Sequence, residues 1–549
     1  MLFENKMNSQ FNFNSRRSPV FGRHGMVAAS QPLAVAAGLE ALRKGGTAAD
    51  AAIATAAGLA VTEPGSTGLG GDCFALYYDA ASRQVSALNG SGRAPAALSL
   101  ERLQREGLGE TLPPFHPYTV TVPGACAGWC DLAARYGRLS MAEILAPAAR
   151  LADEGFPVSP MTALGWQRAA KGQLAHTAGL REMTIDGRGP NPGEIFRNPG
   201  MAKTLQLIAS GGKEAFYQGA VGEAIAAVVQ QAGGCLSMAD LAAHTSTWET
   251  PIYSDYRGIR AWECPPNGQG LVALLTLNIL EGFDLASMPP LSAPRLHLVI
   301  EALRLAFADA RWFVADPAFN PAPLEALLSK DYAAARRKLI DPRRANPDAR
   351  RGAPFASSDT VYLSVVDGAG NACSFIHSNY MGFGTGLVPH GWGFSLQNRG
   401  HNFSLQPGHP NAVAPGKRPY HTIIPAMATY AADDRLFACF GVMGGFMQPQ
   451  GHVQVLTGLV DDALDPQAVL DRPRIYLDGG EARGRVSLEE GLPPETVDAL
   501  ASLGHDVTLV AGLGRSLFGR GQVIMPDSTS GVLWAGSDPR ADGCAMALI

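Results

Sequence analysis

The chain has 549 residues, with 44 Lys and Arg against 49 Asp and Glu and a pI near 6.2. That length suits about three or four ordinary domains or one large layered fold, and the slight acidic excess argues against a nucleic-acid binder. Hydrophobic residues make up 46% and charged residues 17%, which excludes disorder for the bulk of the chain.

The opening, MLFENKMNSQFNFNSRRSPV, is polar and Asn-rich and contains no apolar stretch of signal-peptide length. No run of about eighteen apolar residues occurs anywhere, so a cytoplasmic protein without a transmembrane helix is expected. The segment Leu33–Lys44 is rich in helix formers and stops at Gly45-Gly46; a second helix is expected over Ala49–Val61. The Ala and Gly faces of this pair imply backbone packed closely on backbone. The loop TEPGSTGLGGD (62–72) then feeds an alternating strand, Cys73–Tyr78. Glycines so dense could cradle a phosphate, but neither a P-loop ending nor G-x-G-x-x-G is present, so a buried turn is expected.

From about 130 to 350 the pattern is mainly helical, with Ser140–Glu154, Val221–Gln231 and a long run from Arg295 to Phe313 entered through Ser292 and Pro294. The stretch Asp341–Ser358 is charged, then rich in Gly, Pro and Ser, and reads as an exposed loop. Then the grammar changes. TVYLSVVD (360–367) alternates, GAGN (368–371) is a turn, and ACSFIHS (372–378) alternates again, which is a hairpin signal. A strand at Arg435–Val442 and a helix at Gln450–Asp461 follow. Helices with strands drawn from both halves of the chain suggest an α/β layered sandwich.

The eight cysteines are scattered, and only Cys126 and Cys130 are close, without the His or Cys pairs a zinc site requires. They read as small apolar core residues of a reducing compartment. The histidines show no metal-ligand spacing, and neither a metal nor a cofactor is expected. G-x-S-x-G, H-E-x-x-H and C-x-x-C are also missing. What remains is Asp359-Thr360, where an exposed polar loop runs directly into a central hairpin. Alone, a threonine there is an ordinary strand residue.

Its surroundings say more. Thr360, the strand to Asp367, the Gly370-Asn371 turn and Ser378 on the return strand resemble the γ-glutamyltransferase family. The likeness extends through residues 25–74, NGSGRAP (89–95), TVTVPGACAGW (119–129), EALRLAFADAR (301–311), FGTG (383–386), APGKRP (414–419) and MGG (443–445). The resemblance implies a four-layer αββα sandwich of the N-terminal-nucleophile (Ntn) hydrolase type, formed by two chains cut from one precursor between Asp359 and Thr360. The implied organisation is a polar extension over 1–24, a large subunit over 25–359 and a small subunit over 360–549; a dimer of such heterodimers is compatible with it. Thr360 would be the nucleophile, with its own α-amine as base. Ser378 would steady it, Gly444 and Gly445 would form the oxyanion hole, and Arg93 would bind a substrate carboxylate.

Departures from the family pattern bear on the substrate. Asn402 stands where transpeptidases carry the aspartate that holds a γ-glutamyl α-amino group. His421 and Thr422 replace two serines, and Tyr380 replaces an asparagine; with Tyr420 these bulky residues crowd the expected pocket. The implied activity is therefore hydrolysis of the amide of a small acid lacking an α-amino group, with oxamate, cleaved to oxalate and ammonia in purine-nitrogen catabolism, as the preferred substrate. The alternatives are γ-glutamyl hydrolysis or transfer, a glutaryl-amide (cephalosporin-type) acylase, and, in a different class, an unprocessed binding homologue.

Overall fold

The alternating segments flanking the GAGN turn pair as expected, Asp359–Asp367 running antiparallel to Ala372–Tyr380. Asp367 ties the turn, its Oδ1 accepting from the N–H groups of Ala369 and Asn371. The structure is a computed structural model that describes residues 17–109, 111–347, 349 and 359–549, the side chains of Asp359 and Thr360 excepted. The expected exposed loop thus falls in large part outside the described residues.

The hairpin lies at the centre of a seven-stranded antiparallel sheet. Its spatial order is Cys544–Ala547, Gly25–Ala29, Asp359–Asp367, Ala372–Tyr380, Asp72–Asp79, Gln84–Gly90 and Thr247–Glu249. A second seven-stranded sheet runs Val20–Gly22, Leu533–Ser537, Arg520–Pro526, Leu436–Met443, Ala426–Tyr430, Ile259–Glu263 and Ile252–Tyr256. The two sheets face each other, with the Tyr362 ring lying against Gly441, where an added Cβ would come within 2.6 Å of the ring. The Tyr362 hydroxyl bonds Ser364 and Ser374, so this large buried side chain leaves no polar atom unsatisfied. Val20–Gly22, counted in the polar extension from sequence, pairs with Leu533–Ala535 and so belongs to the fold.

Helices cover both outer faces, giving the expected αββα layers. Over the first sheet lie Pro32–Arg43 and Ala48–Thr62, within a residue or two of the predicted spans. Thr47 and Asp50 form a capping box that starts the second. Gly38 and Gly58 sit at their crossing, where an added Cβ would lie 2.2 Å from Thr55 Oγ1 and 2.9 Å from Ala34 Cα respectively. The small-residue pattern therefore did mean close backbone approach. Gly38→Ala is expected to destabilise by about 1–3 kcal/mol through overpacking, read as a fall in melting temperature of the purified protein; an unchanged melt would show that the helices can separate freely.

Over the second sheet lie Gly270–Leu280, Ala293–Phe313 and Met447–Val460, joined in one apolar cluster with strand residues Ala426, Ala438 and Phe440. The last helix begins three residues before its predicted start. Its first turn is set by the carbonyls of Gly444 and Gly445, which accept from the N–H groups of Met447 and Gln448. No helix among the described residues is long and apolar enough to cross a membrane.

Candidate active site

Strand pairing gathers the site at one end of the first sheet. Ser378 is in register with Asp72, and Tyr380 with Asp359; a bulge between Asp359 and Val361 places the backbone of Thr360 against the end of the return strand. Tyr380 is buried with φ +82°, a conformation costly for a bulky residue, by about 1–3 kcal/mol. Hydrogen bonds at both ends help hold it there. Its N–H donates to Ser378 Oγ at 2.8 Å, and its hydroxyl donates to Asn402 Oδ1 at 2.5 Å. Asn402 also donates through Nδ2 to the Tyr420 carbonyl at 3.1 Å, so its amide is engaged on both sides.

The turn containing Tyr420, His421 and Thr422 comes alongside. Gln269, fully buried, donates through Nε2 to the Thr422 carbonyl at 2.7 Å and to the Gly445 carbonyl at 2.8 Å, clamping this turn to the glycine pair. Gly444 and Gly445 have φ +130° and +59°, and an added Cβ at Gly444 would lie 3.2 Å from Gly519 Cα. With both carbonyls spent on the helix and Gln269, the peptide N–H groups are the donors left to this bend, and among the described residues they bond to nothing.

The His421 ring is engaged within the protein. Its Nε2 donates to Asp72 Oδ2 at 2.9 Å, and Ile423 N–H donates to its Nδ1 at 3.4 Å. The Asp72 carboxylate also accepts from Gly92 N–H, Gly124 N–H and Gln397 Nε2. Burial pushes Asp72 up to about 6, against the opposing charge of Arg399. Burial, then Arg399 and Arg418, push His421 well below its ordinary value and keep it neutral.

Arg93 is partly exposed. Its guanidinium donates to the Thr245 carbonyl at 3.4 Å, the same oxygen that takes Arg418, and none of its described contacts reaches Ser378 or Thr422. The cation that does reach them is Arg399, which sequence reasoning passed over within the segment that drew attention to Asn402. It is fully buried, donating to Thr422 Oγ1 at 2.7 Å and to Ser378 Oγ at 3.1 Å, with its guanidinium 4.3 Å from the centre of the Tyr380 ring. Gln269 was likewise missed; a glutamine in a turn carries no sequence signal for a clamp.

A cavity of about 840 Å³ opens beside the return strand, lined by Trp166, Gln173, His176, Met381, Gly382 and Phe383 among others. A cavity of about 1100 Å³ lies around Pro289–Ala293 and Asp465–Arg472; neither cavity is lined by Ser378, Tyr380, Arg399, Asn402 or the glycine pair. Elsewhere His297, Glu301 and His505 converge, a grouping hidden from a spacing search because His505 is far along the chain. Their donors are taken up internally: His297 and His505 bond each other at 2.8 Å, His297 bonds the Asp341 carbonyl, and Arg304 lies 3.3 Å from Glu301, where it opposes a further cation.

The γ-glutamyltranspeptidase family profile matches residues 34–548. The chain belongs to that family. A solved cephalosporin acylase from Bacillus halodurans is 46% identical with a TM-score of 0.91, covering 97% of this chain and 98% of its own. The glutathione hydrolase-like YwrD proenzyme of Bacillus subtilis is 36% identical across 96% of this chain and 99% of its own length. The oxamate amidohydrolase proenzyme of Klebsiella pneumoniae is 33% identical over 95% and 98%. The protein is thus an Ntn hydrolase of a family acting on amide C–N bonds.

Proposed function

We propose that the chain cleaves itself between Asp359 and Thr360 and then hydrolyses the amide of a carboxylic acid that lacks an α-amino group. The observation that carries the second half is Asn402. Its oxygen is taken by the Tyr380 hydroxyl and its nitrogen by the Tyr420 carbonyl, so it offers a substrate ammonium no negative charge. Desolvating an ammonium without a counter-charge is expensive, and Arg399 beside it adds repulsion.

The chemistry follows from the residue types. Once Thr360 is an N-terminus, its amine, with a pKa of about 8 in an unperturbed chain, is partly neutral near pH 7 and takes the hydroxyl proton as the oxygen attacks the amide carbon. The N–H groups of Gly444 and Gly445 receive the oxyanion. The amine proton passes to the leaving nitrogen, the C–N bond breaks, and water then releases the acid from the ester by the reverse roles.

Oxamate is a small substrate of this class. The likeness to the solved cephalosporin acylase supports a second reading, an acylase for glutaryl-type amides with a bulky amine. Comparing kcat/KM for oxamate, glutaryl-p-nitroanilide and γ-glutamyl-p-nitroanilide tests both. One of the first two is expected to exceed the γ-glutamyl compound by about tenfold or more, the scale of one charge-assisted hydrogen bond. A tenfold preference for the γ-glutamyl compound would replace this reading with transpeptidation.

A further inference from the structure

Cys126 and Cys130 are the close cysteine pair of the sequence, and the helix Ala125–Tyr136 puts them one turn apart on the same face. Cys126 is fully buried in the first turn; Cys130, in the second, is partly exposed. Lys213 stands nearby, its Nζ 2.5 Å from Asp131 Oδ1. The Cys126 thiol favours charge on the Cys130 sulfur, and Lys213 adds to this against burial and Asp131, so Cys130 lies below the ordinary thiol range. Burial, with Cys130 adding to it, holds Cys126 well above that range. An accessible, acidified thiol beside a buried one suits a peroxide-reactive cysteine with its resolving partner.

The start of this helix is also bonded to the active site. Gly124 N–H donates to Asp72 Oδ1 at 3.1 Å, and Ala125 N–H donates to the Gly71 carbonyl at 3.0 Å. Gly128, between the two cysteines, lies so close to the strand that an added Cβ would be 2.2 Å from Cys73 Sγ. The same Asp72 carboxylate accepts from His421, the chain neighbour of Thr422. Side chains four apart on a helix have Cβ atoms about 5–6 Å apart, whereas a disulfide needs about 3.5–4.5 Å. Bridging the pair must therefore draw the first two turns together, and the turn bonded to Asp72 shares the displacement.

We propose that Cys126 and Cys130 form a reversible switch, oxidised by hydroperoxides, that slows the enzyme by displacing the helix start from Asp72. The Cys130 thiolate attacks a peroxide oxygen; an S–O bond forms as O–O breaks, and the released hydroxide takes a proton to become water. The Cys126 sulfur then attacks Cys130; S–S forms as S–O breaks, and the departing hydroxide leaves as water with the Cys126 proton. A dithiol reductant returns both thiols by exchange.

The test treats the mature protein with hydrogen peroxide, blocks the remaining thiols and weighs the peptide holding both cysteines. In parallel, kcat/KM is read on whichever of the three amides above is hydrolysed best, so the outcome is independent of the substrate reading. The peptide is expected to be lighter by two hydrogens and closed to the blocking reagent. Activity should fall by about tenfold or more, since a misplacement of about 1 Å costs on the order of 100-fold, and dithiothreitol should restore both. Cys130→Ser and Cys126→Ala should keep the basal activity and lose both the bridge and the rapid response to peroxide. Oxidised methionines would persist after dithiothreitol and affect the variants equally. No bridge in the wild type, a bridge without loss of activity, or an equal reversible loss in Cys130→Ser would overturn the proposal. Should a variant fail to mature, the joint appearance and joint reversal of bridge and activity loss in the wild type decide.

Discussion

Thr360→Ala is expected to leave one uncut chain of 549 residues with no measurable amidase activity. The wild type should resolve on a denaturing gel into chains of about 360 and 190 residues, the smaller beginning at Thr360. The reason is that one hydroxyl serves twice. Under the proposed function it attacks the carbonyl of Asp359 in the precursor and the substrate in the mature enzyme. Alanine has no oxygen with which to form either ester. The backbone that places it is in register with Tyr380 on one side and His377 on the other, and an alanine is sterically compatible with a strand, so the variant should fold. Clean cutting of the alanine protein, seen by N-terminal sequencing, would move the nucleophile elsewhere.

The second large effect concerns the glycine bend. Gly444→Ala is expected to reduce kcat by about 100- to 1000-fold with a much smaller change in KM, the pattern of a lost oxyanion donor. At φ +130° a side chain is strained, and its Cβ would press on Gly519 Cα at 3.2 Å and Met447 Cβ at 3.4 Å. Relief of that contact must turn the peptide, and turning the peptide redirects the N–H. The carbonyl end is anchored by the helix start at Met447 and, one residue on, by Gln269, so the displacement falls on the N–H side. Activity within tenfold of wild type in a matured variant would assign the oxyanion to other donors.

Much of this was legible in the chain. The period-2 alternation on both sides of GAGN determines the central hairpin, because side chains alternate faces along a strand and both faces here are buried. Ser140 and Glu143 announce the helix Met141–Glu154 through a capping box, a contact made within three residues. The Gly and Ala spacing of the first two helices announces their close approach for the same local reason. The helix expected at Gln450 came three residues early because its start depends on carbonyls of the glycine bend, whose conformation is held from the distant Gln269.

The functional residues divide along the same line. By itself the sequence determined the hairpin, the layered fold, the family pattern around Thr360 and the missing carboxylate at Asn402, since each is a residue type or a short-range repeat. Only the tertiary structure decided that His421 belongs to Asp72, that Tyr380 and Tyr420 occupy the Asn402 amide, and that the cation reaching Ser378 and Thr422 is Arg399 rather than Arg93. These are pairings between segments remote in the chain. Their geometry follows from how two sheets and their loops pack, and burial then enforces partners that composition and spacing do not encode.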